Sequence, residues 1–293
     1  MVDTTHNIEM KLIADSGSTK TDWILIDGSN NIVTTFSTKG LNPNIVSDEQ
    51  IVFELNNEIQ LKEYSGSPLK LFFYGAGCSG ANNLHRMQKA LQSFFINALI
   101  EVRTDIVAAV YATCDDQPAI VAILGTGSNS CLFTGEEIKG NDFSLGYILG
   151  DEGSGNYFGK KLLRDYFYGD LPSDLQIKFL EQFEISRDEL IQRVYKEPLP
   201  NEFIASFLPF FSENIEHTYC DNTISLGVEE FLRIYIKRFK EHSKLPIHFV
   251  GSAAYYFDHQ LYEMCAKHNL RVGKILKSPI SELAEYHIKK YKS

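Results

Sequence analysis

The chain has 293 residues, with 28 Lys and Arg against 38 Asp and Glu, which gives a formal net charge of −10. This length suits one large or two ordinary domains, and a hydrophobic fraction of 44% supports a sizeable core, so wholesale disorder is excluded. The acidic balance argues against nucleic acid as a partner, because phosphate backbones select basic surfaces. It does not exclude a small phosphorylated ligand, since backbone N–H groups alone can bind phosphate.

Neither the N-terminal segment nor the cysteines indicate secretion. No apolar stretch approaches the ~18–20 residues of a membrane span, and the N-terminus lacks the basic and apolar regions of a signal peptide. We therefore expect no membrane partner, a cytoplasmic location, and an extension ahead of the fold at residues 1–9. The five cysteines are scattered without a C-x-x-C pair, which fits a reducing compartment and gives no support for a zinc or iron–sulfur site.

The first third of the chain alternates strands and helices. Short apolar runs separated by tight turns predict three consecutive strands, and amphipathic stretches predict helices between later strands. The predicted strands lie at 11–15, 22–26, 32–37, 71–74 and 100–103, and the predicted helices at 48–63, 82–97 and 106–114.

The strand pattern restarts at Ala119, where the apolar run A-I-V-A-I-L predicts a buried strand at 119–124. A Gly/Ser/Thr turn, a strand at 131–133 and another turn follow, so a strand–turn–strand meander occurs twice. We expect a domain boundary near residues 105–117, with domains at 1–106 and 107–293. Beyond the second meander we predict helices at 154–168, 174–182, 186–195, 201–219 and 222–242, strands at 247–250 and 271–276, and a terminal helix after Pro279.

The first candidate site is the turn D-S-G-S-T-K-T at residues 15–21. Its small residues can expose successive N–H groups, and its hydroxyls add donors, so the turn can cradle a phosphate. Asp15 offers a hard oxygen ligand suited to Mg²⁺. Lys20 is either a phosphate contact or a solvated charge, and the whole turn is also compatible with a ligand-free β-turn.

Two further glycine-rich segments lie in the second half of the chain. The turn G-T-G-S-N-S at 125–130 occupies the same place in the second meander, and this recurrence favours a ligand held by both turns. The loop G-D-E-G-S-G at 150–155 places carboxylates where they can accept hydrogen bonds from a polyol. Alternatively, these carboxylates stabilise the start of a helix through its macrodipole.

Two more positions follow strands that lead into helices. Asp105 is either a helix N-cap or a carboxylate that acts as a base in a cleft. The run G-S-A-A at 251–254 lets a flat ring approach the start of a helix, or it simply permits tight packing of a strand on a helix.

Together, these segments resemble the BadF/BadG-type ATPase family of the actin/hexokinase/Hsp70-like superfamily, which includes eukaryotic-type N-acetylglucosamine kinases. The resemblance implies an α/β protein of two ribonuclease-H-like domains, with a nucleotide cleft between them and with ATP and Mg²⁺ as cofactors. It rests on six segments in order: D-S-G-S-T-K-T (15–21), K-G-L-N-P-N (39–44), T-D-I-V-A-A (104–109), I-L-G-T-G-S-N-S (123–130), G-Y-I-L-G-D-E-G-S-G (146–155) and V-G-S-A-A (250–254).

The resemblance also implies roles for individual residues. Asp105 corresponds to the carboxylate that takes the proton from the sugar hydroxyl. The residues implied to contact the amino sugar are Asn42, Ser79, Asn129 and Asp151. Those implied to contact ATP are Gly17, Ser18, Thr19, Lys20, Thr21, Gly125, Thr126, Gly127, Ser128, Gly251, Ser252 and Ala253.

The sequence therefore predicts an ATP-dependent kinase of an amino sugar, with N-acetylglucosamine as the expected substrate and a homodimer suggested by the family. Two alternatives stay open. One is an activator ATPase of a dehydratase or reductase, although the scattered cysteines do not match the [4Fe–4S] motif of such proteins. The other is a non-catalytic sensor of a nucleotide or sugar, which would have no need of Asp105 as a base.

Overall fold

The computed structural model describes residues 10–140 and 144–291, so the extension predicted at residues 1–9 lies outside the described residues. The described chain forms two compact units. Unit 1 comprises the described residues up to Ala112 together with those from Pro279 onward, and unit 2 runs from Thr113 to Ser278.

Unit 1 is built on a five-stranded sheet with the order β3–β2–β1–β4–β5. Strands β1, β2 and β3 form an antiparallel meander, and β4 and β5 run parallel to β1. The elements are β1 (Met10–Ser16), β2 (Lys20–Ile26), β3 (Ile32–Lys39), α1 (Asp48–Asn57), α2 (Ile59–Tyr64), β4 (Leu69–Gly75), α3 (Ala81–Phe94), β5 (Leu99–Thr104) and α4 (Asp105–Thr113).

The burial of each strand in unit 1 follows from its place in the sheet. Strands β1 and β4 lie in the interior of the sheet and are covered on both faces, so they carry nearly continuous apolar runs. Strand β3 lies at the edge and alternates exposed with half-buried residues. The four strands predicted before residue 75 and the strand before Asp105 are all present, which confirms the α/β class.

Unit 2 repeats the topology of unit 1, since its sheet has the order β10–β9–β6–β7–β8. Strands β6, β7 and β8 form the antiparallel meander, and β9 and β10 run parallel to β6. This confirms the predicted internal repeat. The elements up to β9 are β6 (Ala119–Leu124), β7 (Ser128–Phe133), β8 (Ile138–Gly140), α5 (Gly146–Leu149), α6 (Gly155–Tyr168), α7 (Ser173–Phe183), α8 (Arg187–Tyr195), α9 (Pro200–Ala205), α10 (Leu208–Glu213), α11 (Thr218–Phe231) and β9 (Pro246–Val250).

The rest of unit 2 comprises α12 (Ser252–Tyr256), α13 (Asp258–Lys267) and β10 (Arg271–Leu276). The predicted helix at 201–219 is wrong in its continuity, because Pro209 lacks an N–H group and lies in the first turn of a new helix, α10. The predicted helix at 48–63 is likewise divided at Glu58. This residue has an extended backbone and caps α2, because its side chain accepts from the Gln60 N–H. After Phe231, α11 continues into a π-helical turn at Leu232–Ile236.

The terminal helix α14 (Ile280–Lys290) returns to unit 1. Its Leu283 and Ala284 are buried against the face of the sheet that carries Ile13 and Phe72. The compact units therefore differ from the predicted domains, since α14 belongs with the N-terminal strands and residue 106 lies inside α4. None of the helices in the described ranges combines the length and apolar character that a membrane span needs.

Candidate functional site

The carboxyl ends of three parallel strands in unit 1 meet at one edge of the sheet. Ser16 of β1 pairs with Gly75 of β4, and Gly75 pairs with Thr104 of β5. Asp15 lies at the end of β1, and Asp105 follows Thr104 directly as the first residue of α4. The sheet therefore brings two carboxylates together that are far apart in sequence, and both are half-buried.

The turn between β1 and β2 is supported from beneath by two buried hydroxyls. Ser16 Oγ and Thr21 Oγ1 lie 2.8 Å apart, and Thr21 Oγ1 donates to the carbonyl of Lys39 at 3.0 Å. Ser16 Oγ in turn accepts from the N–H of Leu41 at 3.1 Å. The Thr21 hydroxyl thus stabilises the turn from within the fold.

The tip of this turn is exposed at Thr19 and Lys20. The Gly17 N–H donates to the Lys20 carbonyl at 2.8 Å, which closes the turn. Lys20 Nζ lies 2.9 Å from a carboxylate oxygen of Asp22, and its side chain is 59% exposed. In this structure Lys20 therefore forms a solvent-exposed ion pair with Asp22, and its contact with phosphate stays a prediction.

Asn42 connects the first turn to the loop that follows β4. Its Nδ2 donates to Ser18 Oγ at 2.9 Å, and its Oδ1 accepts from the N–H of Asn44 at 3.0 Å. Gly77 in the loop has φ +75°, and a Cβ there would lie 1.9 Å from Asn42 Oδ1, so this position requires glycine. Ser79 lies exposed in the same loop.

The two carboxylates of unit 1 are both disfavoured in their charged forms. Burial, with smaller contributions from the neighbouring Asp105 and Asp22, raises the pKa of Asp15 to about 7. Burial also raises the pKa of Asp105 to about 6, against the opposing effect of the Ile106 N–H, which donates to Asp105 Oδ1 at 2.9 Å. Perturbed carboxyl groups of this kind are typical of functional sites.

This carboxylate pair fits the requirements of Mg²⁺. A divalent cation takes hard oxygen ligands, and magnesium is commonly held by one or two carboxylates, with phosphates and water completing its coordination. The described residues contain no group of three or more metal-ligating side chains, so a cation here would depend on the phosphates of a bound ligand. A cation would also relieve the repulsion that raises the pKa of Asp15.

In unit 2, the second glycine turn lies beside the end of β9. Strands β6 and β9 are parallel, with Ile123 opposite Val250. Gly251 follows with φ +123°, and a Cβ there would lie 2.3 Å from the carbonyl oxygen of Leu124, so only glycine permits this approach. The structure therefore places the predicted adenosine segment, 251–253, against the predicted phosphate turn.

Asp151 lies against the same turn in a backbone conformation that is rare for a residue with a side chain, with φ +61°. Its Oδ1 accepts from the Ser128 N–H at 3.2 Å, and a Cβ at Gly127 would lie 2.7 Å from its Oδ2. Burial raises the pKa of Asp151 to about 6, against the opposing effect of the Ser128 hydrogen bond. Asn129 is half-buried in the next position, and its Oδ1 accepts from the Ser130 N–H at 2.8 Å.

The start of α6 supplies contacts to the second turn that the sequence did not indicate. The Gly155 N–H donates to the Gly125 carbonyl at 2.8 Å, and the Asn156 N–H donates to the Thr126 carbonyl at 3.0 Å. The side chain of Asn156 donates to the same carbonyl at 2.6 Å. The sequence carried only an indirect signal of these contacts, namely the small residues of G-D-E-G-S-G, which allow the start of α6 to lie close to the turn.

Within unit 1, the structure brings the first turn, Asn42, Asp15 and Asp105 together at one sheet edge. Within unit 2, it brings the second turn, Asp151 and the 251–253 segment together at the equivalent edge. Arg86 is a further residue that sequence reasoning missed. It donates to the Pro43 carbonyl at 2.8 Å and so fixes the segment that carries Asn42.

No protein-family model matches the chain, and no curated protein matches it. Solved structures do match. A proposed N-acetylglucosamine kinase from Porphyromonas gingivalis is 36% identical with a TM-score of 0.87, over 96% of this chain and 99% of that chain. A proposed N-acetylglucosamine kinase from Chromobacterium violaceum is 16% identical with a TM-score of 0.72, over 95% and 99%. A ROK-family glucokinase from Streptomyces griseus, in complex with glucose and AMPPNP, is 14% identical with a TM-score of 0.56, over 94% and 97%.

The two more distant matches show a shared fold and nothing more. Together with the Porphyromonas gingivalis match and the two sheets of equal topology, they confirm the predicted α/β fold of two actin-like ATPase domains. The match to the Porphyromonas gingivalis protein extends further, because its identity holds over nearly the full length of both chains.

Proposed function

Because the chain belongs to the family of the Porphyromonas gingivalis protein, within the actin-like ATPase superfamily, we propose that it is an ATP-dependent sugar kinase that phosphorylates N-acetylglucosamine. The observation that carries the proposal is Asp105. Its half-buried carboxyl begins a helix at the edge of the sheet, beside Asp15, and has a pKa raised to about 6. A base with a pKa just below neutral suits proton abstraction from a weakly acidic hydroxyl.

In the proposed reaction, Asp105 accepts the proton of the sugar hydroxyl as the hydroxyl oxygen attacks the γ-phosphorus of ATP. A new O–P bond forms to the sugar, the bond between the γ-phosphorus and the bridging oxygen breaks, and ADP leaves with that electron pair. Such transfers depend on positioning and charge stabilisation more than on covalent chemistry. The glucokinase that shares this fold was solved with a sugar and an ATP analogue, which supports the assignment of both ligand classes.

The two glycine turns are the proposed phosphate-binding elements, and the 251–253 segment is the proposed adenosine contact. A bound Mg²⁺ would supply positive charge against the phosphates in a protein of net charge −10. Asp15 is the proposed holder of that ion, and Asp105 beside it stays available as the base. In this assignment Lys20 exchanges its ion pair with Asp22 for a phosphate contact.

Asp151 is the proposed anchor of the sugar. A carboxylate can accept hydrogen bonds from two hydroxyls, and Asp151 is held in one orientation by the Ser128 N–H and by its contact with Gly127. Asn129, Asn42 and Ser79 are the proposed further sugar contacts. In this structure Asn42 already donates to Ser18, so its role in sugar binding would be shared with support of the first turn.

An ADP-release assay over a panel of sugars tests this proposal. We expect turnover with N-acetylglucosamine at ~1–100 per second, and a kcat/KM for glucosamine and glucose at least ~10-fold lower. N-acetylmuramic acid belongs in the panel as a bulkier amide. Absence of sugar-dependent ADP release across the whole panel would reject the kinase.

The two alternatives predict different results. An activator ATPase needs cysteine thiolates at a subunit surface to share an iron–sulfur cluster, whereas all five cysteines are buried in this structure. Burial also raises the pKa of the Cys78 thiol to about 12, which disfavours the thiolate. Anaerobic purification with iron analysis tests this alternative directly. A sensor would bind N-acetylglucosamine in calorimetry and form no product.

A further inference from the structure

The first turn of α6 holds the second glycine turn by two consecutive carbonyl groups. The Gly125 carbonyl accepts from the Gly155 N–H at 2.8 Å, and the Thr126 carbonyl accepts from the Asn156 N–H at 3.0 Å. Asn156 Nδ2 donates to the Thr126 carbonyl as well, at 2.6 Å. Two adjacent peptide groups are therefore fixed by one helix end.

This arrangement determines where the N–H groups of the turn point. In a trans peptide the carbonyl and the following N–H point in opposite directions across one plane. Since the carbonyls of Gly125 and Thr126 face α6, the N–H groups of Thr126 and Gly127 are directed away from it. Successive N–H groups directed to the same side form a concave anion-binding surface.

The Asn156 side chain holds this geometry without being exposed to solvent. It is 1% exposed. Because only the Nδ2 end of the amide can donate to the Thr126 carbonyl oxygen, the orientation of the amide is fixed. The other end of the amide, Oδ1, is buried and finds no partner among the described residues. An unsatisfied buried acceptor destabilises the fold, so the favourable contribution of this amide lies in its Nδ2 donor and the Thr126 carbonyl that it holds.

We propose that Asn156 is a positioning residue for phosphate binding, and that it acts by fixing the peptide planes of the second glycine turn. The inference rests on the proposed function only in assigning this turn to the phosphates of ATP. The side chain itself contacts the Thr126 carbonyl and no ligand. Its removal should weaken the binding of the triphosphate group and leave the binding of adenosine unchanged.

The test compares the dissociation constants of AMPPNP and adenosine, measured by calorimetry in the presence of Mg²⁺. In Asn156→Ala we expect the Kd of AMPPNP to rise ~10-fold and that of adenosine to stay within ~2-fold. Asn156→Ser keeps a short donor in place, and we expect an intermediate rise. Asn214→Ala is the matched control, because Asn214 Nδ2 donates to the Phe210 carbonyl at 2.9 Å elsewhere in unit 2.

A merely structural role would lower the thermal stability of Asn156→Ala and leave the ratio of the two dissociation constants unchanged, and that result would overturn the inference. An equal loss of affinity for both ligands would overturn it too. Wild-type protein that binds AMPPNP more tightly than adenosine but phosphorylates no sugar would reject only the kinase, and the ratio would still decide on Asn156. Wild-type protein that binds AMPPNP no more tightly than adenosine would overturn both.

Discussion

The two glycine turns occupy the same position in two sheets of the same topology, yet they are supported by different groups. The turn of unit 1 is held by the paired hydroxyls of Ser16 and Thr21 and by the amide of Asn42, in addition to the Gly40 N–H, which donates to the Thr19 carbonyl at 3.0 Å. The turn of unit 2 rests largely on backbone N–H groups at the start of α6, with the Asn156 amide in addition. A duplicated framework has therefore kept its strand order while its local support has diverged.

The carboxylates next to the two turns also differ in their surroundings. In unit 1, Asp15 and Asp105 raise the charge density of one edge, and burial and mutual repulsion raise the pKa of Asp15. In unit 2, Asp151 is buried as well, but its Oδ1 accepts from the Ser128 N–H. In the proposed kinase, unit 1 would therefore supply the base and hold the cation, whereas unit 2 would mainly position the ligands.

The largest expected effect is the loss of kcat when the acidic residue of unit 1, rather than that of unit 2, is replaced. Asp105→Asn should lower kcat ~10²–10⁴-fold, because an amide cannot accept the proton of the sugar hydroxyl. Asp151→Asn should act mainly on the KM for the sugar and change kcat by less than ~10-fold, since a positioning contact is made before and during the reaction. Steady-state kinetics with N-acetylglucosamine measure both.

The control for this prediction is Asp27→Asn. Asp27 follows β2 at the end of the hairpin away from Asp15, and its Oδ1 accepts from the N–H groups of Ser29 at 2.9 Å and Asn31 at 2.8 Å within its own turn. We expect its kcat to stay within ~3-fold of wild type, because a substitution in a remote surface turn has little effect on the site. Equal losses of kcat in Asp105→Asn and Asp151→Asn would contradict the assignment of proton transfer to unit 1 and of ligand positioning to unit 2.

An intermediate effect is expected where a methyl group is added to each turn. A Cβ at Gly17 would lie 3.5 Å from the Lys20 carbonyl, and a Cβ at Gly125 would meet nothing within 4 Å, so the fold tolerates both. If phosphates bind against these turns, Gly17→Ala and Gly125→Ala should each raise the KM for ATP ~10-fold without lowering Tm. Gly140→Ala, which also has open space, is the control. A normal KM in only one variant would show that a single turn binds phosphate.

The smallest effect concerns stability and its dependence on pH. The folded-state pKa values of Asp15, Asp105 and Asp151 lie above the ordinary 3.8, at about 7, 6 and 6. The folded protein therefore retains protons that the unfolded chain loses, and the contribution of these groups to stability falls as the pH rises from about 4 to 7. Asp15→Asn should raise the Tm of the ligand-free protein at pH 8 by about 2–4 °C.

The same substitution should leave Tm nearly unchanged at pH 4, where Asp15 is protonated in the folded state. Scanning calorimetry of wild type and variant across this pH range measures the difference. A variant that is less stable than wild type by an equal amount at both pH values would contradict the raised pKa. Asp151→Asn should show a smaller gain, because the Ser128 N–H already stabilises its charged form.

The elements that depend on residues close together in the sequence could be predicted. Apolar runs bounded by glycine turns predicted the two meanders, and Asp105 was predicted at the start of a helix because a strand pattern changes there to a helical one. The breaks at Glu58 and near Pro209 were not predicted, since apolar periodicity continues across both. One residue with an extended backbone, or one missing N–H group, ends a helix without disturbing that pattern.

The supporting contacts of the site could not be predicted, because they join residues that are far apart in sequence. Asn156 and Thr126 are separated by 30 positions, and Asn42 and Ser18 by 24. The left-handed conformation of Asp151 also has no local signature, since aspartate adopts it less readily than the glycines around it. The sequence thus predicts which residues carry the chemistry better than which residues hold them in place.

The return of α14 to unit 1 has a consequence for the order of folding during synthesis. Unit 2 is one continuous stretch, whereas the sheet face of unit 1 that includes Ile13 and Phe72 is covered by Leu283 and Ala284 from the last described helix. At ~5–20 residues per second, the ribosome needs roughly 10–30 s to pass from α4 to α14. During that interval unit 1 exposes an apolar sheet face to solvent and to chaperones, and the unit that is made first is the one that is completed last.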